Sequence, residues 1–507
     1  MFKNFDDLFI LDLANNHFGN LNHAKKIVSK FSKINKRHNL KCAFKFQYRD
    51  LPNFVHKDFR DSKLKYVRRF LDTKMSDEKF NELFKFIRKN GFLTSCTPFD
   101  EASVDKIEKN NFDIIKVASV SSLDFNLHER LVKNKIPKII STGGIAVNDI
   151  DNIVSFYLKK NQKFAIMHCV SIYPSEHSDL NLKFIKNIKK RYRNIPIGWS
   201  THERPDEFIP ATLAHSYGAR IFEKHVGIKS KTFKLNEYST TPELFEEWYL
   251  NLKKSIEMSG LENKKIYNQE KRTIESLSRG VYLKNDIKKN TLLTNKNTYF
   301  AIPLQENQLS SVNFKGKMEI LIDSKKDQSI KISKVAFDKN LQQENLINKY
   351  LHSVKATLNY NNIQLGKKFS MEISHHEGIN NFKKVGCFLF NILNRNYAKK
   401  ILVMLPNQRH PSHHHKNKTE SFIILSGNLE LKDGKKNSKL NPGDVIHLKK
   451  KSWHEFKAGN NGCVFEEIST YDSKKDSFYK NKDITKLPRN TRKTYFNNWF
   501  QLQGYDS

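Results

Sequence analysis

The chain has 507 residues and a formal net charge of +36 at pH 7, with an isoelectric point near 9.7. That length exceeds what one hydrophobic core organises, so it predicts roughly two to four domains. The lysines are scattered over nearly every predicted helix rather than clustered. This distribution argues against a nucleic-acid partner and leaves a basic field that attracts anionic substrates.

The cysteines and the apolar runs indicate the compartment. The five cysteines form no CxxC pair and are odd in number, so the sequence predicts neither a disulfide framework nor a cysteine zinc site. No apolar run reaches the length of a membrane-spanning helix, and the residues after Met1 lack the apolar stretch of a signal peptide. We therefore expect a cytoplasmic protein with no membrane partner.

The first 226 residues alternate short apolar runs of strand length with stretches of helical spacing. Near-continuous apolar strands alternating with helices predict a parallel sheet buried on both faces, and eight of them suffice to close an α/β fold of the (β/α)₈ TIM-barrel type. We predict that this barrel domain spans residues 1–262. The predicted strands are Leu8–Asn15, Cys42–Gln47, Phe92–Thr97, Ile114–Ser119, Lys138–Gly143, Phe164–Cys169, Ile195–Ser200 and Arg220–Val226.

Polar side chains follow these strands at the end where barrel active sites lie. Lys45 and Lys116 lie on the second and fourth predicted strands. The serines near them are Ser119, Ser141 and Ser200. Lysines and hydroxyls that converge at one rim are what a phosphate-bearing carboxylate requires. His202 and His225 end the last two strands, where they are placed to hold a divalent ion.

Eight segments follow the landmarks of the sialic acid synthase family in order and in spacing. They are LDLANNHFGNLNHAKKIV, CAFKFQ, FLTSCTPFDEASVDKIE, IIKVAS, KIISTGG, MHCVSIYP, IGWSTH and IFEKHVG. Residues 271–337 resemble the small antifreeze-like (SAF) domain that follows the barrel in that family. The resemblance implies a metal-dependent homodimer that condenses phosphoenolpyruvate with a sugar aldehyde and releases phosphate. The implied metal of the barrel is Mn²⁺ or Mg²⁺.

The same resemblance implies roles for single residues. The lysines and serines named above bind phosphoenolpyruvate with Gln47 beside it, and His202 and His225 hold the metal. Asp12 stands where the family has a glutamate near the reacting centre, and Tyr173 matches the sugar-contacting tyrosine. The residues with implied catalytic roles are Asp12, Lys45, Lys116 and His202.

Other positions depart from the family pattern. Ser121 replaces a glutamate, and Ser171 replaces an asparagine. Leu235-Asn236 stands where an acidic residue is expected, and Ile302 aligns with an arginine. We therefore expect the phosphoenolpyruvate and metal half of the site to be retained, and the acceptor to differ from N-acetylmannosamine.

Residues 369–474 alternate strand and turn patterns, which predicts an all-β domain. His413, His415 and Glu420 have the spacing of the first cupin motif, and His454 stands where the second motif supplies its last ligand. Side chains at i and i+2 of a strand share a face, so the first two histidines can both point inward. Three imidazoles and a carboxylate suit Mn, Fe, Ni or Zn. The alternative is a histidine-rich turn without metal.

Residues 340–368 form a polar stretch, and residues 475–507 form a basic tail. The role of His375 and His376 stays open in the sequence, since they are either structural or part of the cupin pocket. Three hypotheses about function remain. In the first, the protein is a synthase of a nonulosonic (sialic-acid-like) 2-keto-3-deoxy acid. In the second, it is bifunctional, and its cupin also isomerises the sugar precursor. In the third, it is a regulatory sugar-binding protein without catalysis.

Overall fold

The computed structural model describes residues 5–262, 264–314, 316, 318–337, 339–366, 369–473 and 475–496. The chain divides into two units, Met1–Lys265 and Ile266–Ser507, each with its own hydrophobic cores. Within the described residues, no helix combines the length and the apolar character that crossing a bilayer requires.

The first unit is built on a closed barrel of eight parallel strands in sequence order, which confirms the predicted fold. Strand β1 pairs with both β2 and β8, so Asp12 lies between Lys45 and His225 in register. The strands are buried along nearly all of their length, as expected of parallel strands covered on both faces. They are β1 (Leu8–Asp12), β2 (Cys42–Tyr48), β3 (Leu93–Pro98), β4 (Ile114–Val117), β5 (Lys138–Ser141), β6 (Phe164–Cys169), β7 (Ile197–Thr201) and β8 (Ile221–His225).

The helices of this unit bury one face against the strands. In the first helix, Ile27, Phe31 and Ile34 are buried, and the Asn20 side chain accepts a hydrogen bond from the backbone N–H of His23. The main core therefore lies between helices and strands. The helices are α1 (Leu21–His38), α2 (Leu51–Phe54), α3 (Lys65–Asp72), α4 (Asp77–Lys89), α5 (Glu101–Lys109), α6 (Phe125–Leu131), α7 (Val147–Lys159), α8 (Lys183–Arg191), α9 (Ile209–Ser216) and α10 (Pro242–Ser259).

The second unit begins with helix α11 (Asn268–Leu277) and a small module of short strands. Val281, Leu283 and Leu309 belong to a separate apolar core of this module. A polar turn at Lys289-Asn290 separates two of its strands, with Asn290 in the left-handed region at φ 64°. The strands are β9 (Gly280–Leu283), β10 (Leu292–Leu293), β11 (Thr298–Ala301), β12 (Met318–Ile320) and β13 (Val335–Phe337).

A long helix, α12 (Lys339–Tyr360), occupies most of the polar stretch at residues 340–368. Leu351, Val354 and Leu358 are buried and recur at three- and four-residue spacing, which places them on one helical face. They pack in one core with the first strands of the all-β region. Most polar residues between 343 and 360 lie on the remaining faces, which is why the sequence shows only a polar stretch here.

The remaining strands form a large antiparallel sheet that folds into the predicted all-β domain. Strand β23 (Lys493–Phe496) pairs Lys493 with Ser374 of β14 (Ser370–Ser374), so the sheet continues past residue 474 into the predicted basic tail. The strands are β14 (Ser370–Ser374), β15 (Cys387–Asn394), β16 (Tyr397–Met404), β17 (Arg409–His414), β18 (Glu420–Asp433), β19 (Lys436–Leu440), β20 (Val445–Leu448), β21 (His454–Thr470), β22 (Phe478–Tyr479) and β23 (Lys493–Phe496). Two short helices, α13 (Lys482–Lys486) and α14 (Arg489–Arg492), precede β23.

Candidate active site and candidate metal centre

The inward-facing side chains of the barrel change from apolar to polar along each strand. Ile10 and Ile221 belong to the apolar cluster that fills the barrel near the amino-terminal ends of its strands. Two residues further along the same strands stand Asp12 and Glu223, which are next on the same face because strand side chains alternate. The polar layer thus lies at the carboxyl ends of the strands, where barrel active sites are found.

Lys45 lies between two buried carboxylates in this layer. Its Nζ is 3.0 Å from Asp12 Oδ2 and 3.0 Å from Glu223 Oε1, and all three side chains are at most 5% exposed. Burial opposes the charge on Lys45, but the two carboxylates outweigh it and raise the pKa of this lysine. The lysine is therefore held charged and in a fixed position.

Lys116, on the opposite side of the barrel, also lies near the carboxylate of Glu223. Its Nζ donates a hydrogen bond to Ser141 Oγ and lies 3.8 Å from Glu223 Oε1, which also accepts a 3.1 Å hydrogen bond from Ser200 Oγ. Burial outweighs the attraction of Glu223 and lowers the pKa of Lys116. Glu223, which the sequence reasoning did not single out, thus connects both predicted lysines with a predicted serine.

Two further serines lie beside a glycine of the β5 end. The backbone N–H of Gly143 donates a 3.1 Å hydrogen bond to Ser119 Oγ. A Cβ on Gly143 would lie 2.7 Å from that oxygen and even closer to Ser171 Oγ. Only a glycine at position 143 leaves room for both hydroxyls. Ser119 and Ser171, where the family pattern has an asparagine, therefore lie side by side against Gly143.

The two histidines predicted to hold a metal lie together at the barrel mouth. The ring centroids of His202 and His225 are 5.3 Å apart. His202 Nδ1 is held by the backbone carbonyl of Val170 at 2.8 Å, which leaves Nε2 for a ligand. His225 Nδ1 is buried without a hydrogen-bond partner, 3.5 Å from Asp12 Oδ2, and burial lowers the pKa of His225 to about 4. Burial opposes the charge on His202, but its contact with Cys169 outweighs burial and raises the pKa of His202, so a cation must displace a proton from this ring. The pair offers imidazole nitrogens from two neighbouring strands, which is an arrangement that can hold a divalent cation.

Two tyrosines flank this histidine pair. Tyr173 is 46% exposed, with its ring 4.2 Å from that of His202, as expected of a substrate-contacting residue at the mouth. Tyr238, which the sequence reasoning missed, lies 5.2 Å from the ring of His225 and 5.3 Å from Tyr173. Its position after β8, in a loop with no motif spacing, gave no sequence signal.

The predicted substrate contact Gln47 has an unexpected cationic neighbour. Its Oε1 accepts a 2.8 Å hydrogen bond from Arg49 Nη2. The guanidinium of Arg49 lies 3.9 Å from the ring centres of both Phe70 and Phe99, a geometry that favours the cation electrostatically. The barrel rim therefore carries a fixed arginine that the sequence reasoning did not identify.

The positions that depart from the family pattern carry no charge into this rim. Ser121 is buried on the short turn Ser119–Ser121. Asn236 Nδ2 donates a 3.3 Å hydrogen bond to Asn16 Oδ1. Ile302, in the second unit, is 60% exposed.

In the second unit, three predicted ligands of the cupin converge. One ring nitrogen from each of His413, His415 and His454 lies within 4.8 Å of the others, and all three residues are buried. His413 Nδ1 lies 3.0 Å from the backbone carbonyl oxygen of Pro411, and His454 Nδ1 lies 3.1 Å from that of Ser452. His415 Nδ1 contacts the backbone carbonyl oxygen of Asp476. Those bonds leave the Nε2 lone pairs for a common ligand, the arrangement typical of metal-binding histidines.

The fourth predicted ligand, Glu420, lies beside two of these rings. Its Oε1 is 3.3 Å from His415 Nε2, and its Oε2 is 3.4 Å from His454 Nε2. Lys418, which the sequence reasoning missed, places its Nζ 2.6 Å from the same Oε1. The neutral histidines and the adjacent carboxylate fit a transition metal, with the lysine holding the carboxylate in place.

The histidines left open by the sequence take different positions. His375 Nε2 is 2.9 Å from Thr494 Oγ1, so it ties the end of β14 to β23. His376 Nε2 is 3.1 Å from His410 Nε2, and both rings are buried. His375 is therefore structural, whereas His376 contacts a residue of the cupin pocket wall.

Comparisons with known proteins match both units. The model of the NeuB family matches residues 24–264, and that of the cupin domain matches residues 400–466. Human N-acetylneuraminate-9-phosphate synthase is 27% identical over 297 residues, covering 56% of this chain and 80% of that protein. Pseudaminic acid synthase of Campylobacter jejuni is 25% identical over 310 residues, covering 58% and 86%. A crystal structure from Chromobacterium violaceum, of a protein assigned to spore coat polysaccharide biosynthesis (protein E), is 35% identical with a TM-score of 0.61 and covers 65% and 100%.

Proposed function

Because the chain belongs to the NeuB family, we propose that its barrel condenses phosphoenolpyruvate with a sugar aldehyde to a nonulosonic acid and releases phosphate. The observation that carries the proposal is the polar layer in which Lys45 and Lys116 flank Glu223 beside the His202–His225 pair. Relatives named for sialic and pseudaminic acid synthesis support the product class.

In this proposal water is the third reactant, beside phosphoenolpyruvate and the aldehyde. C3 of the enolpyruvate bonds to the aldehyde carbon, a water oxygen adds at C2, and the bond between C2 and the phosphate ester oxygen is lost. The products are a 2-keto-3-deoxy acid and phosphate. Catalysis then consists largely of positioning two reactants and stabilising charge, which a rigid rim of lysines and hydroxyls supplies.

The phosphoenolpyruvate half of the site uses the lysines and serines. Lys45 and Lys116 provide charge-assisted hydrogen bonds to the anionic groups, and Ser119, Ser141 and Ser200 add hydroxyl donors. Glu223 acts as a positioning residue, since it holds the two lysines and Ser200 at fixed distances.

The metal half uses His202 and His225, which would hold Mn²⁺ or Mg²⁺. When bound, such an ion polarises the aldehyde carbonyl as a Lewis acid. Asp12 lies within 3.5 Å of both Lys45 Nζ and His225 Nδ1, so its carboxylate links the phosphoenolpyruvate half of the site to the metal half. Asp12 is one methylene shorter than a glutamate, and its contacts to both neighbours show that it still reaches them.

The residues at the positions expected to contact the acceptor sugar favour an aldose other than N-acetylmannosamine. Ser121, Asn236 and Ile302 offer no charge where the family pattern has a glutamate, an acidic residue and an arginine. Each hydrogen bond lost from a site built for hydroxyls costs about 1–3 kcal/mol. Tyr173 and Gln47 remain as sugar contacts, and Arg49 supplies the cation that position 302 lacks.

The test is phosphate release from phosphoenolpyruvate across a panel of aldoses and N-acyl hexosamines, with and without Mn²⁺. Metal-dependent release with one member of the panel, and formation of a 2-keto acid, would support the synthase. Release without any aldehyde would indicate simple hydrolysis. Efficient conversion of N-acetylmannosamine to N-acetylneuraminate would overturn the acceptor proposal. The absence of phosphate release with every sugar of the panel would favour a regulatory sugar-binding protein.

A second proposal concerns the cupin. His413, His415 and His454, with Glu420 beside them, would hold a transition metal, for which Mn, Fe, Ni and Zn are all suited by ligand type. The observation that carries it is the set of three Nδ1 contacts to backbone carbonyls, which fix the ring orientations.

A further inference from the structure

Three polar side chains follow one another along the inward face of strand β2. Lys45, Gln47 and Arg49 stand at every second position, and such positions share a face because strand side chains alternate. The 2.8 Å hydrogen bond from Arg49 Nη2 to Gln47 Oε1 shows that the last two do so. Lys45 belongs to the polar layer, so Arg49 lies beyond it toward the barrel mouth, by roughly 13 Å at about 3.3 Å per residue.

Most of the hydrogen-bonding capacity of Arg49 is unused. Its guanidinium lies between the rings of Phe70 and Phe99, which hold its plane in a fixed orientation. Its Nε is buried without a hydrogen-bond partner. Within the described part of the chain, this guanidinium forms no ion pair and no hydrogen bond besides the one to Gln47. A guanidinium carries five N–H donors, so Arg49 is a rigid cation with donors to spare.

The carboxylates whose charges act on Arg49 are committed to other partners. Asp12 pairs with Lys45, and the Asp100 carboxylate accepts hydrogen bonds of 2.8 and 2.7 Å from the N–H groups of Asp50 and Ser103. Burial lowers the pKa of Arg49 to about 10, the charges of Asp12 and Asp100 oppose this shift, and that of Arg69 adds to it. The guanidinium of Arg49 therefore lies near a second cation.

That second cation comes from the helix that covers Arg49. Arg69 and Phe70 are consecutive residues of α3 (Lys65–Asp72), and the ring of Phe70 is one of the two on Arg49. Arg69 Nη1 donates a 3.4 Å hydrogen bond to the hydroxyl of Tyr238, whose ring lies 5.2 Å from that of His225. Among the described residues, no carboxylate forms an ion pair with Arg69. Helix α3 thus brings two arginines to the same side of the barrel mouth.

Two neighbouring cations without a carboxylate between them repel each other, and a partly buried cation has also lost some of its water. An anion bound between them would remove both costs. Guanidinium groups are well suited to this task, because their forked donors match the oxygens of a phosphate or a carboxylate. An acceptor sugar whose aldehyde lies at the His202–His225 pair would extend its far end toward this rim.

We propose that Arg49 and Arg69 bind an anionic group, a phosphate ester or a carboxylate, at the end of the acceptor sugar remote from its aldehyde. The assignment of this anion to an acceptor sugar rests on the proposed function. The two arginines are then specificity-determining residues, whereas Lys45 and Lys116 contact phosphoenolpyruvate.

The test is a calorimetric titration of the full-length, Mn²⁺-loaded protein, in the presence of phosphoenolpyruvate, with alditols that lack an aldehyde and cannot condense. Two series are compared: mannitol, mannitol 1-phosphate and mannonate, and glucitol, glucitol 6-phosphate and gulonate. In at least one series, we expect an anionic member to bind at least about tenfold more tightly than its neutral parent. The tighter of the two anions identifies the group. Equal binding of neutral and anionic members in both series would overturn the proposal.

Variants of the two arginines test whether they cause this preference. Arg49→Gln and Arg69→Gln should each reduce it by about tenfold, and Arg69→Lys, which keeps the charge, should retain most of it. Arg68→Gln is the matched control, because Arg68 lies on the same helix but pairs with Asp72 at 2.6 Å. If Arg49→Gln fails to fold, Arg69→Gln carries the test.

An unchanged preference in the glutamine variants would overturn the proposal, as would an equal loss in Arg68→Gln, which would indicate a general effect of surface charge. Phosphate release from phosphoenolpyruvate, assayed on the same preparations, reports separately on the proposed function. A protein that prefers the anionic alditols through its arginines but releases no phosphate with any aldose would overturn the synthase and leave the anion contact in place.

Discussion

Lys116 and Lys138 are both buried in the barrel, and their positions along the strands give them different surroundings. Lys116 lies in the polar layer, near Ser141 and Glu223. Lys138 begins β5 at the opposite end, where its Nζ donates 2.8 Å hydrogen bonds to the Asn134 carbonyl and to Gln162 Oε1. A carboxylate partner and nearby hydroxyls suit anion binding, whereas neutral acceptors alone suit a structural role.

Replacing Lys116 with methionine should weaken phosphoenolpyruvate binding markedly, while Lys138→Met should leave it unchanged. The first substitution removes a charge-assisted contact worth about 1.5–3 kcal/mol, or roughly tenfold or more in affinity. Calorimetric titration of both proteins with phosphoenolpyruvate checks this, and Lys45→Ala should behave like Lys116→Met. Equal affinity in all of these variants would remove the lysines from the proposed site.

Lys138 should also make the stability of the protein depend on pH. Burial and the nearby charge of Lys135 lower the pKa of Lys138 from 10.5 to about 7. Between these two values the unfolded chain holds a proton that the folded chain has released, so stability rises with pH. Above pH 7, the free energy of unfolding of the wild type should increase relative to that of Lys138→Met by up to about 1.4 kcal/mol per pH unit. Denaturation of both proteins at pH 7, 8 and 9 measures the difference, and parallel pH profiles would contradict it.

Lys45 and Lys116 were found in the sequence because each one interrupts an apolar strand, whereas Asp12, Gln47 and Tyr173 were named only through the family resemblance. Glu223 was missed although its signal was present: it stands two residues before His225, so the two share a strand face. Arg49 and Lys418 could not be found in this way. Arg49 depends on two aromatic rings, and Lys418 on carboxylates 49 and 54 residues away in sequence.

Among the elements, the eight barrel strands were predictable because strands covered on both faces have almost no polar interruptions. Helix α12 was not, because its buried positions are few among many polar residues. Strand β23 was missed because Lys493–Phe496 is short and begins with a lysine, which is unusual in a strand interior. That lysine is stable there only because Glu372 of the neighbouring strand accepts its hydrogen bond.

The segment after residue 474 should be needed for metal binding, although it contains none of the predicted ligands. His415 Nδ1 is held by the carbonyl of Asp476, whose carboxylate accepts 2.9 Å hydrogen bonds from the N–H groups of Lys416 and Asn417. We expect deletion of residues 475–507 to lower the transition-metal content of the loaded full chain by about one ion, as measured by elemental analysis. Asp476→Ala should lower metal occupancy partially, because the loop that carries His415 loses two anchors. Full occupancy in the deletion protein would show that the ligands alone suffice.

At the scale of the whole molecule, the net charge of +36 contrasts with the balance inside the barrel. Asp12 and Glu223 compensate Lys45 and Lys116 one for one, which leaves Arg49 as the surplus cation at the rim. Most of the long-range attraction must therefore come from the lysine-rich surface, together with any bound cation. Such a field accelerates the encounter with anionic substrates without contacting them.

The dependence of the synthase reaction on salt should reveal this field. The Debye length falls from about 30 Å at 0.01 M to about 8 Å at 0.15 M ionic strength, so added salt screens the surface lysines while leaving the buried ion pairs of the barrel nearly unaffected. We expect kcat/KM for phosphoenolpyruvate to fall several-fold over about this range of NaCl concentration, while KM for an uncharged aldehyde changes little. The aldehyde serves as an internal control, because a general effect of salt on folding or metal binding would alter both parameters. A flat profile for phosphoenolpyruvate would mean that the contacts of Lys45 and Lys116 alone account for its capture, and that the surface charge has no part in the reaction.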